Sequence, residues 1–213
     1  DSQLRSLLLD AIEKIEISVR TQFINLSWKY GPHFYLNHKL FRDHRQLNDS
    51  IERIQFQIKS GHDLLVSEYY HRYNDPAMPP VWIAVELTTI GQLTKLFMNL
   101  KHAEDKEAVA KRYQIHYSVL QAIMDNLTLI RNYSAHHTRI WNRHFSFECS
   151  LDNQHQLISH ALCDGSRMYS VLVLITYILK TLGVEQPFYK RLMGLISIYN
   201  INVDLMGFPS DWQ

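Results

Sequence analysis

Residues 4–26 read LRSLLLDAIEKIEISVRTQFINL, and this stretch decides the fold class of the chain. Its apolar side chains recur at intervals of three and four residues, which is the spacing of an amphipathic α-helix. Gly31-Pro32 then ends the segment. The apolar positions that form the stripe are Leu4, Leu7, Leu8, Ala11, Ile12, Ile15, Val19, Phe23 and Leu26.

Helical patterns continue along the rest of the chain. Seven Gly and six Pro in 213 residues leave few tight turns, and no pair of alternating strands is visible. Three prolines make residues 74–80 a stiff connector, and residues 142–156 are polar and irregular. We predict an all-α bundle of six to eight helices that forms one domain over residues 1–213. Its further helices are predicted over residues 41–59, 63–72, 82–100, 101–113, 117–139, 167–182 and 187–199.

Composition limits the possible functions. The 22 Lys and Arg nearly balance 21 Asp and Glu, so the formal charge is only +1. A strongly basic nucleic-acid binder is therefore excluded, and any affinity for RNA has to come from a local patch. Cys149 and Cys163 have no C-x-x-C spacing and are interpreted as two free thiols. No signal peptide or membrane-spanning run is visible, so we expect a cytoplasmic protein without a membrane partner.

Residues 129–144, LIRNYSAHHTRIWNRH, carry most of the chemistry-bearing side chains. These sixteen positions hold three Arg, three His and two Asn, together with two aromatic residues that can stack on bases. At about 100° per residue, two stripes form on the predicted helix. The apolar stripe contains Leu120, Ile123, Leu127 and Ile130, and the second stripe contains Thr128, Arg131, Asn132, Ala135, His136 and Arg139.

The second stripe suits the cleavage of a phosphodiester. The Arg131 guanidinium can hold a phosphate and offset the charge of the transition state. The His136 imidazole can accept or donate a proton, and Asn132, one helical turn away, can orient it. One imidazole does not easily serve both sides of an in-line reaction. Two copies of the motif facing each other would do so, which favours a homodimer.

Simpler interpretations stay open at this point. A polar helix face is usually just solvated, and an Arg and a His five positions apart are common. A metal site at His136, His137 or His144 is disfavoured, because no acidic residue lies between Arg131 and residue 147. We expect neither a metal nor another cofactor. Nothing in the sequence orients Cys149 as a nucleophile towards a histidine.

Residues 131–143, RNYSAHHTRIWNR, resemble the signature RN-x-x-AHH-x-R-x-WNR of the Abi-like abortive-infection family. Three further blocks resemble that family in the same order along the chain. They are the early helix over residues 4–20, the stretch MPPVWIAVEL followed by GQLTKL over residues 78–96, and MGFPSDW over residues 206–212. Family members usually carry residues before the first of these blocks, so the N-terminus is expected to be shortened.

The resemblance implies a fold of the HEPN superfamily, whose ribonucleases share an Arg, a polar residue and a following His. Arg131, Asn132 and His136 match that pattern residue by residue. It implies metal-independent cleavage of single-stranded RNA at a composite dimer site, leaving a cyclic phosphate. It also implies a role in bacterial phage defence, with a toxin-like protein held in check by an antitoxin or by a regulatory RNA or protein. The remaining RNA contacts are assigned to His137, Arg139, Asn142 and Arg143.

Two alternatives accompany the ribonuclease hypothesis. Many HEPN proteins are non-catalytic modules that bind RNA or protein, as in toxin–antitoxin regulation. A structural alternative assigns Glu13, Glu16, Arg20 and Glu86 to internal ion pairs with the arginines of the motif, above all with Arg131. It rests on the rule that a buried Arg usually has a carboxylate partner.

Overall fold

The computed structural model describes residues 1–61, 63–73, 75–145, 167–210 and 212. The regular secondary structure of the described residues is helical, with one isolated antiparallel bridge between Phe41 and Leu100 and no sheet among these residues. The predicted all-α class is therefore confirmed. The α-helices are α1 (Ser2–Ile24), α2 (Ser27–Tyr30), α3 (His44–Ser60), α4 (Leu64–Arg72), α5 (Val81–Ala84), α6 (Ile90–Asn99), α7 (Ala103–Ala110), α8 (Tyr117–Ala135), α9 (Met168–Leu182) and α10 (Glu185–Ile198).

The chain divides into two compact units. One contains Asp1–Ile17 and Ala110–Gln213, and the other contains Ser18–Val109. We call them the terminal unit and the central unit. The single domain predicted over residues 1–213 stays a prediction. Both cysteines and residues 146–156 of the predicted irregular stretch lie outside the described residues.

The apolar stripe of α1 is buried as predicted. All nine positions, eight on α1 from Leu4 to Phe23 and Leu26 just beyond it, are at most 6% exposed. Burial of a Leu, Ile or Phe side chain contributes roughly 1.5–3 kcal/mol, so this face adds to the hydrophobic stabilisation of the fold. No helix of the described residues combines the length and the apolar character that crossing a bilayer requires.

In the central unit, α3 packs against α6, and side chains fix where both helices begin and end. Asp43 caps α3 by accepting a hydrogen bond from the backbone N–H of Gln46. The Asn99 side chain, which is buried, joins the end of α6 to that cap. Its Oδ1 accepts from the Asp43 N–H at 2.8 Å, and its Nδ2 donates to the Asp43 carbonyl at 2.7 Å.

The continuous helix predicted over residues 82–100 is wrong, because the segment is broken between α5 and α6. The hydroxyl of Thr89 caps α6 and the Gln92 side chain accepts from the Thr89 N–H, so these two residues form a capping box. Thr88 precedes the cap, and its carbonyl accepts a 2.7 Å hydrogen bond from Nη2 of Arg20. This local bonding starts a new helix where apolar periodicity alone predicts a continuous one.

In the terminal unit, α9 packs against α8, α10 and the 3-10 turn Lys111–Tyr113. The hydroxyl of Tyr177 on α9 donates to the Tyr113 carbonyl at 3.1 Å. Arg112 donates to the carbonyl of Thr181 near the end of the same helix, at 2.7 Å. Gly183 then ends α9 in the left-handed conformation, with φ 75°, as its position after the apolar run predicts.

Candidate functional site

Helix α8 ends four residues earlier than its sequence pattern predicts. Its last helical residue is Ala135, and His136 is the C-cap. His137 follows in the left-handed region with φ 56°. Its N–H donates to the Ser134 carbonyl at 3.3 Å, and the N–H of Thr138 donates to the Tyr133 carbonyl at 2.9 Å. This pair of bonds is the Schellman motif, which terminates a helix by satisfying its last carbonyls.

The early end of α8 corrects the predicted polar stripe. Arg131 and Asn132 lie in the last helical turn and His136 caps it, but Arg139 lies beyond the helix and shares no helical face with them. Glycine most often occupies the left-handed position after a helix, and it is the residue that usually marks a helix end in a sequence. In this chain His137 occupies that position, so the sequence does not show where α8 ends. The opposite, apolar stripe of α8 is at most 1% exposed, as predicted.

Two residues near the start of the chain, Asp1 and Arg5, form hydrogen bonds with the segment that follows α8. The Asp1 carboxylate accepts hydrogen bonds from the backbone N–H groups of Ile140 and Trp141, at 3.2 and 3.0 Å. Nη1 of Arg5 donates to the Thr138 carbonyl at 3.3 Å. Sequence reasoning missed Asp1 and Arg5 as supports of the motif. No periodicity or spacing joins residues more than 130 positions apart.

Each of the two arginines beyond the helix lies near an aromatic ring, which is on α8 for Arg143 and in the same segment for Arg139. The guanidinium of Arg143 lies 4.0 Å from the centre of the Tyr133 ring, and that of Arg139 lies 5.6 Å from the Trp141 ring. Both are within cation–π distance. An arginine stacked on one face of its guanidinium still presents its N–H edge to a phosphate. Arg143, Trp141 and Asn142 are half-buried, whereas Arg139 and His137 are exposed.

The three residues predicted to be catalytic occupy one helix end. Arg131 is half-buried, and its Nη1 lies 3.5 Å from Oδ1 of Asn132, the outer limit of a hydrogen bond. Asn132 and His136 are exposed and one turn apart, and the His136 N–H donates to the Asn132 carbonyl at 3.0 Å. Their side chains form no hydrogen bond with each other. The predicted orientation of the imidazole by Asn132 is therefore not formed in this state.

The arginines of the motif have no carboxylate partner within the described residues of the terminal unit. Of the carboxylates in the structural alternative, Glu86 lies 3.9 Å from Arg20, and both belong to the central unit. Arg131 is thus not the buried, carboxylate-paired residue that this alternative requires. Within the described residues of its unit, its guanidinium can therefore bind an external anion without first breaking an ion pair.

Among the described residues, no group of three or more His, Cys, Asp or Glu side chains is arranged to hold a metal ion. The chemistry that these residues offer is that of a guanidinium, an amide and an imidazole at the end of a helix. Such groups bind phosphate oxygens and transfer protons.

Comparison with known proteins gives one result. A family model described as Abi-like protein matches residues 1–142, which includes α1, α8 and all but the last residue of the 131–143 motif. No curated protein and no solved structure matches the chain. The match covers more than half of the 213 residues, so the chain belongs to the Abi-like protein family, which suggests a role in abortive infection.

Proposed function

We propose that this protein is a metal-independent endoribonuclease of the HEPN type that cleaves single-stranded RNA in phage defence. The observation that carries the proposal is the placement of Arg131, Asn132 and His136 on one accessible helix end, where no carboxylate among the described residues of their unit pairs with the arginine. Family membership supports the setting in abortive infection. The placement of a guanidinium and an imidazole on one helix end supports the proposed cleavage of a phosphodiester.

In the proposed reaction, the 2′-hydroxyl of RNA loses its proton to a base as its oxygen attacks the adjacent phosphorus. The bond from phosphorus to the 5′-oxygen breaks, and that oxygen takes up a proton. The products are a 2′,3′-cyclic phosphate and a 5′-hydroxyl. The Arg131 guanidinium contacts the non-bridging oxygens, where it offsets the negative charge that develops in the transition state. The His136 imidazole performs one of the two proton transfers.

The second proton transfer is the reason to propose a composite site. The attacking and leaving oxygens lie on opposite sides of phosphorus in an in-line displacement. A single exposed imidazole at a helix end does not reach both sides at once. A second copy of the chain, with its own α8 end facing the first, supplies the other imidazole. We therefore propose a homodimer as the active form.

The remaining RNA contacts are assigned to the segment after the helix. His137 and Arg139 are exposed, and Asn142 and Arg143 are half-buried. Because Asp1 holds the backbone at Ile140 and Trp141, these groups lie on an anchored turn. Anchoring before the RNA binds lowers the entropy that ordering the turn costs.

The test is cleavage of end-labelled single-stranded RNA in EDTA by the wild type and by Arg131→Ala and His136→Ala. Matched controls are Arg191→Ala, an exposed arginine of the same unit whose only described contact is Asp10, and the exposed His102→Ala. We expect both motif variants to lose activity by at least about 100-fold, with the controls unchanged. Cyclic-phosphate ends identify the reaction, and full activity of His136→Ala would exclude the proposal.

A second candidate is a module of the same fold that binds RNA or a protein partner without cleaving. It is favoured by one observation: the His136 imidazole has no hydrogen-bond partner among the described residues to fix its orientation. Both hypotheses predict salt-sensitive RNA binding, so affinity does not distinguish them. Only the appearance of product does, and an antitoxin or regulatory partner is proposed on either hypothesis.

A further inference from the structure

A cavity of about 460 Å³ lies in the central unit. One wall is α4, whose start is fixed by Asp63, because its carboxylate accepts from the N–H groups of Leu65 and Val66. The lining also includes Trp82, in the first turn of α5. This is the tryptophan of the MPPVWIAVEL stretch, and it contributes nothing to the site described above.

Three aromatic side chains line the cavity. Tyr69 and Tyr73 are one helical turn apart, with ring centres separated by 5.4 Å and planes tilted by 33°. Tyr73 is 56% exposed and Trp82 is 46% exposed, although both are large and mostly apolar. Exposed aromatic groups around a concavity are typical of binding sites.

The Trp82 wall is held rigidly by backbone contacts. The Tyr35 hydroxyl donates a 2.6 Å hydrogen bond to the Pro79 carbonyl, and the Val81 N–H donates to the Pro32 carbonyl at 2.8 Å. Pro79 and Pro80 restrict the backbone directly before Trp82. The backbone that carries Trp82 is therefore fixed before a planar ligand binds, which lowers the cost of ordering it.

Charged groups of both signs also line the cavity. They are the Arg72 guanidinium and the Glu68 and Asp75 carboxylates, and none of these has a hydrogen-bond or ion-pair partner within the part of the chain that the structure describes. His33 lines the same cavity, and its Nε2 is buried without a hydrogen-bond partner there. The cavity thus offers unused donors and acceptors beside stacking surfaces.

We propose that this cavity binds a guanine base of single-stranded RNA, an inference that rests on the proposed function and adds a base preference to it. The rings of Tyr73 and Trp82 provide stacking surfaces, as in other proteins that bind single strands. Guanine alone has two adjacent N–H donors on its Watson–Crick edge, and a carboxylate accepts both. Adenine, cytosine and uracil place an acceptor beside their donor, which a carboxylate repels. Arg72 meets the phosphate of the same nucleotide.

The experiment measures binding of a short, labelled, 2′-O-methylated RNA with one guanosine among uridines. Because the 2′-hydroxyl is blocked, binding is measured without cleavage. We expect Trp82→Ala and Tyr73→Ala each to weaken binding by about 5- to 150-fold. Trp28→Ala is the matched control, since Trp28 is 90% exposed in the same unit and does not line the cavity.

Base preference is tested with Glu68→Gln and Asp75→Asn. We expect at least one of them to abolish the preference for guanosine over an adenosine at the same position, while binding of the adenosine strand is unchanged. Equal affinities of wild type and Trp82→Ala, or equal affinities for the two strands in the wild type, would overturn the proposal. If the protein bound free guanosine monophosphate but not the RNA strand, the ligand would be a free nucleotide and the proposal that the cavity binds RNA would be wrong. Cleavage of unmodified RNA, measured separately, shows whether the proposed nuclease itself stands.

Discussion

The carboxylate of Asp1 accepts a 3.0 Å hydrogen bond from the backbone N–H of Trp141, 140 positions further along the chain. A charged acceptor at the start of α1 thereby positions the turn that follows the proposed catalytic helix end. The same oxygen also accepts from the N–H of Ile140. The geometry of the motif consequently depends on residues that lie outside it.

Replacement of Asp1 tests this support. Asp1→Ala removes both hydrogen bonds and should lower the free energy of unfolding by about 1–2 kcal/mol, with faster amide exchange at Ile140 and Trp141. Asp1→Asn keeps an oxygen acceptor, so its free energy of unfolding should lie between those of the wild type and Asp1→Ala. Asp10→Asn is the control, because Asp10 lies on α1, which Asp1 directly precedes, and among the described residues it bonds to the exposed Lys14 and Arg191. Unchanged amide exchange in Asp1→Ala would contradict the assigned role.

His136→Ala should separate activity from stability. The side chain is exposed and makes no hydrogen bond among the described residues, so its removal should change the free energy of unfolding by less than about 0.5 kcal/mol. RNA cleavage should be lost. Urea denaturation and the cleavage assay on one preparation test both statements. A large loss of stability would mean that His136 serves the fold and that the lost activity is indirect.

His137→Gly should stabilise the end of α8. The φ of 56° at His137 is strained for an L-residue and free for glycine. We expect a gain of about 0.5–1 kcal/mol, measured by urea denaturation, and a loss for His137→Val. If His137 contacts RNA, the Gly variant combines higher stability with weaker RNA binding. Higher stability with unchanged RNA binding would show that His137 does not contact RNA.

The contact between Arg143 and Tyr133 is suited to a double-mutant cycle. The guanidinium lies 4.0 Å from the ring centre, so Arg143→Ala and Tyr133→Leu should couple by about 0.5–1 kcal/mol in unfolding free energy. Arg143→Lys should recover only part of this, because an ammonium does not stack like a planar guanidinium. Additive single effects would show that the stacking contributes no stability.

Stability should fall in alkaline solution because of Tyr35 in the central unit. Burial, followed by the nearby Tyr70 and Tyr69, raises the pKa of Tyr35 well above its usual range. The folded state therefore keeps a proton that the unfolded chain releases above about pH 10. The contribution is complete below that pH and is lost as the pH rises further.

The hydrogen bond of Lys29 to Asp105, followed by its bond to Tyr30, raises the pKa of Lys29 and acts in the same direction. The check on Tyr35 is the urea midpoint as a function of pH. Tyr35→Phe should lose about 1 kcal/mol at neutral pH with its bond to Pro79, and decline less steeply above about pH 10. The exposed Tyr73→Phe should follow the wild type, and an equally steep decline in both variants would exclude Tyr35 as the source.

Much of the fold follows from local patterns that sequence reasoning can detect. The apolar stripe from Leu4 to Leu26 predicts the buried face of α1, and Gly183 marks the end of α9, because periodicity and backbone preference act within a few residues. The break at Thr88 and Thr89 was missed, although the Thr89–Gln92 capping box is visible in the sequence. The apolar spacing continues across these two residues and therefore predicts one continuous helix.

By itself, the sequence determined the helical class, the buried faces and the identity of the motif, since each depends on residue types at short and regular spacing. Only the structure showed where α8 ends: backbone hydrogen bonds from His137 and Thr138 stop it at Ala135, which places Arg139 off the helical face of Arg131 and His136. Tertiary structure also brought Asp1 and Arg5 to the motif and assembled the cavity between Tyr73 and Trp82. The contacts of Asp1 and Arg5 join residues more than 130 positions apart, where hydrogen bonding acts through space and leaves no spacing in the sequence to detect.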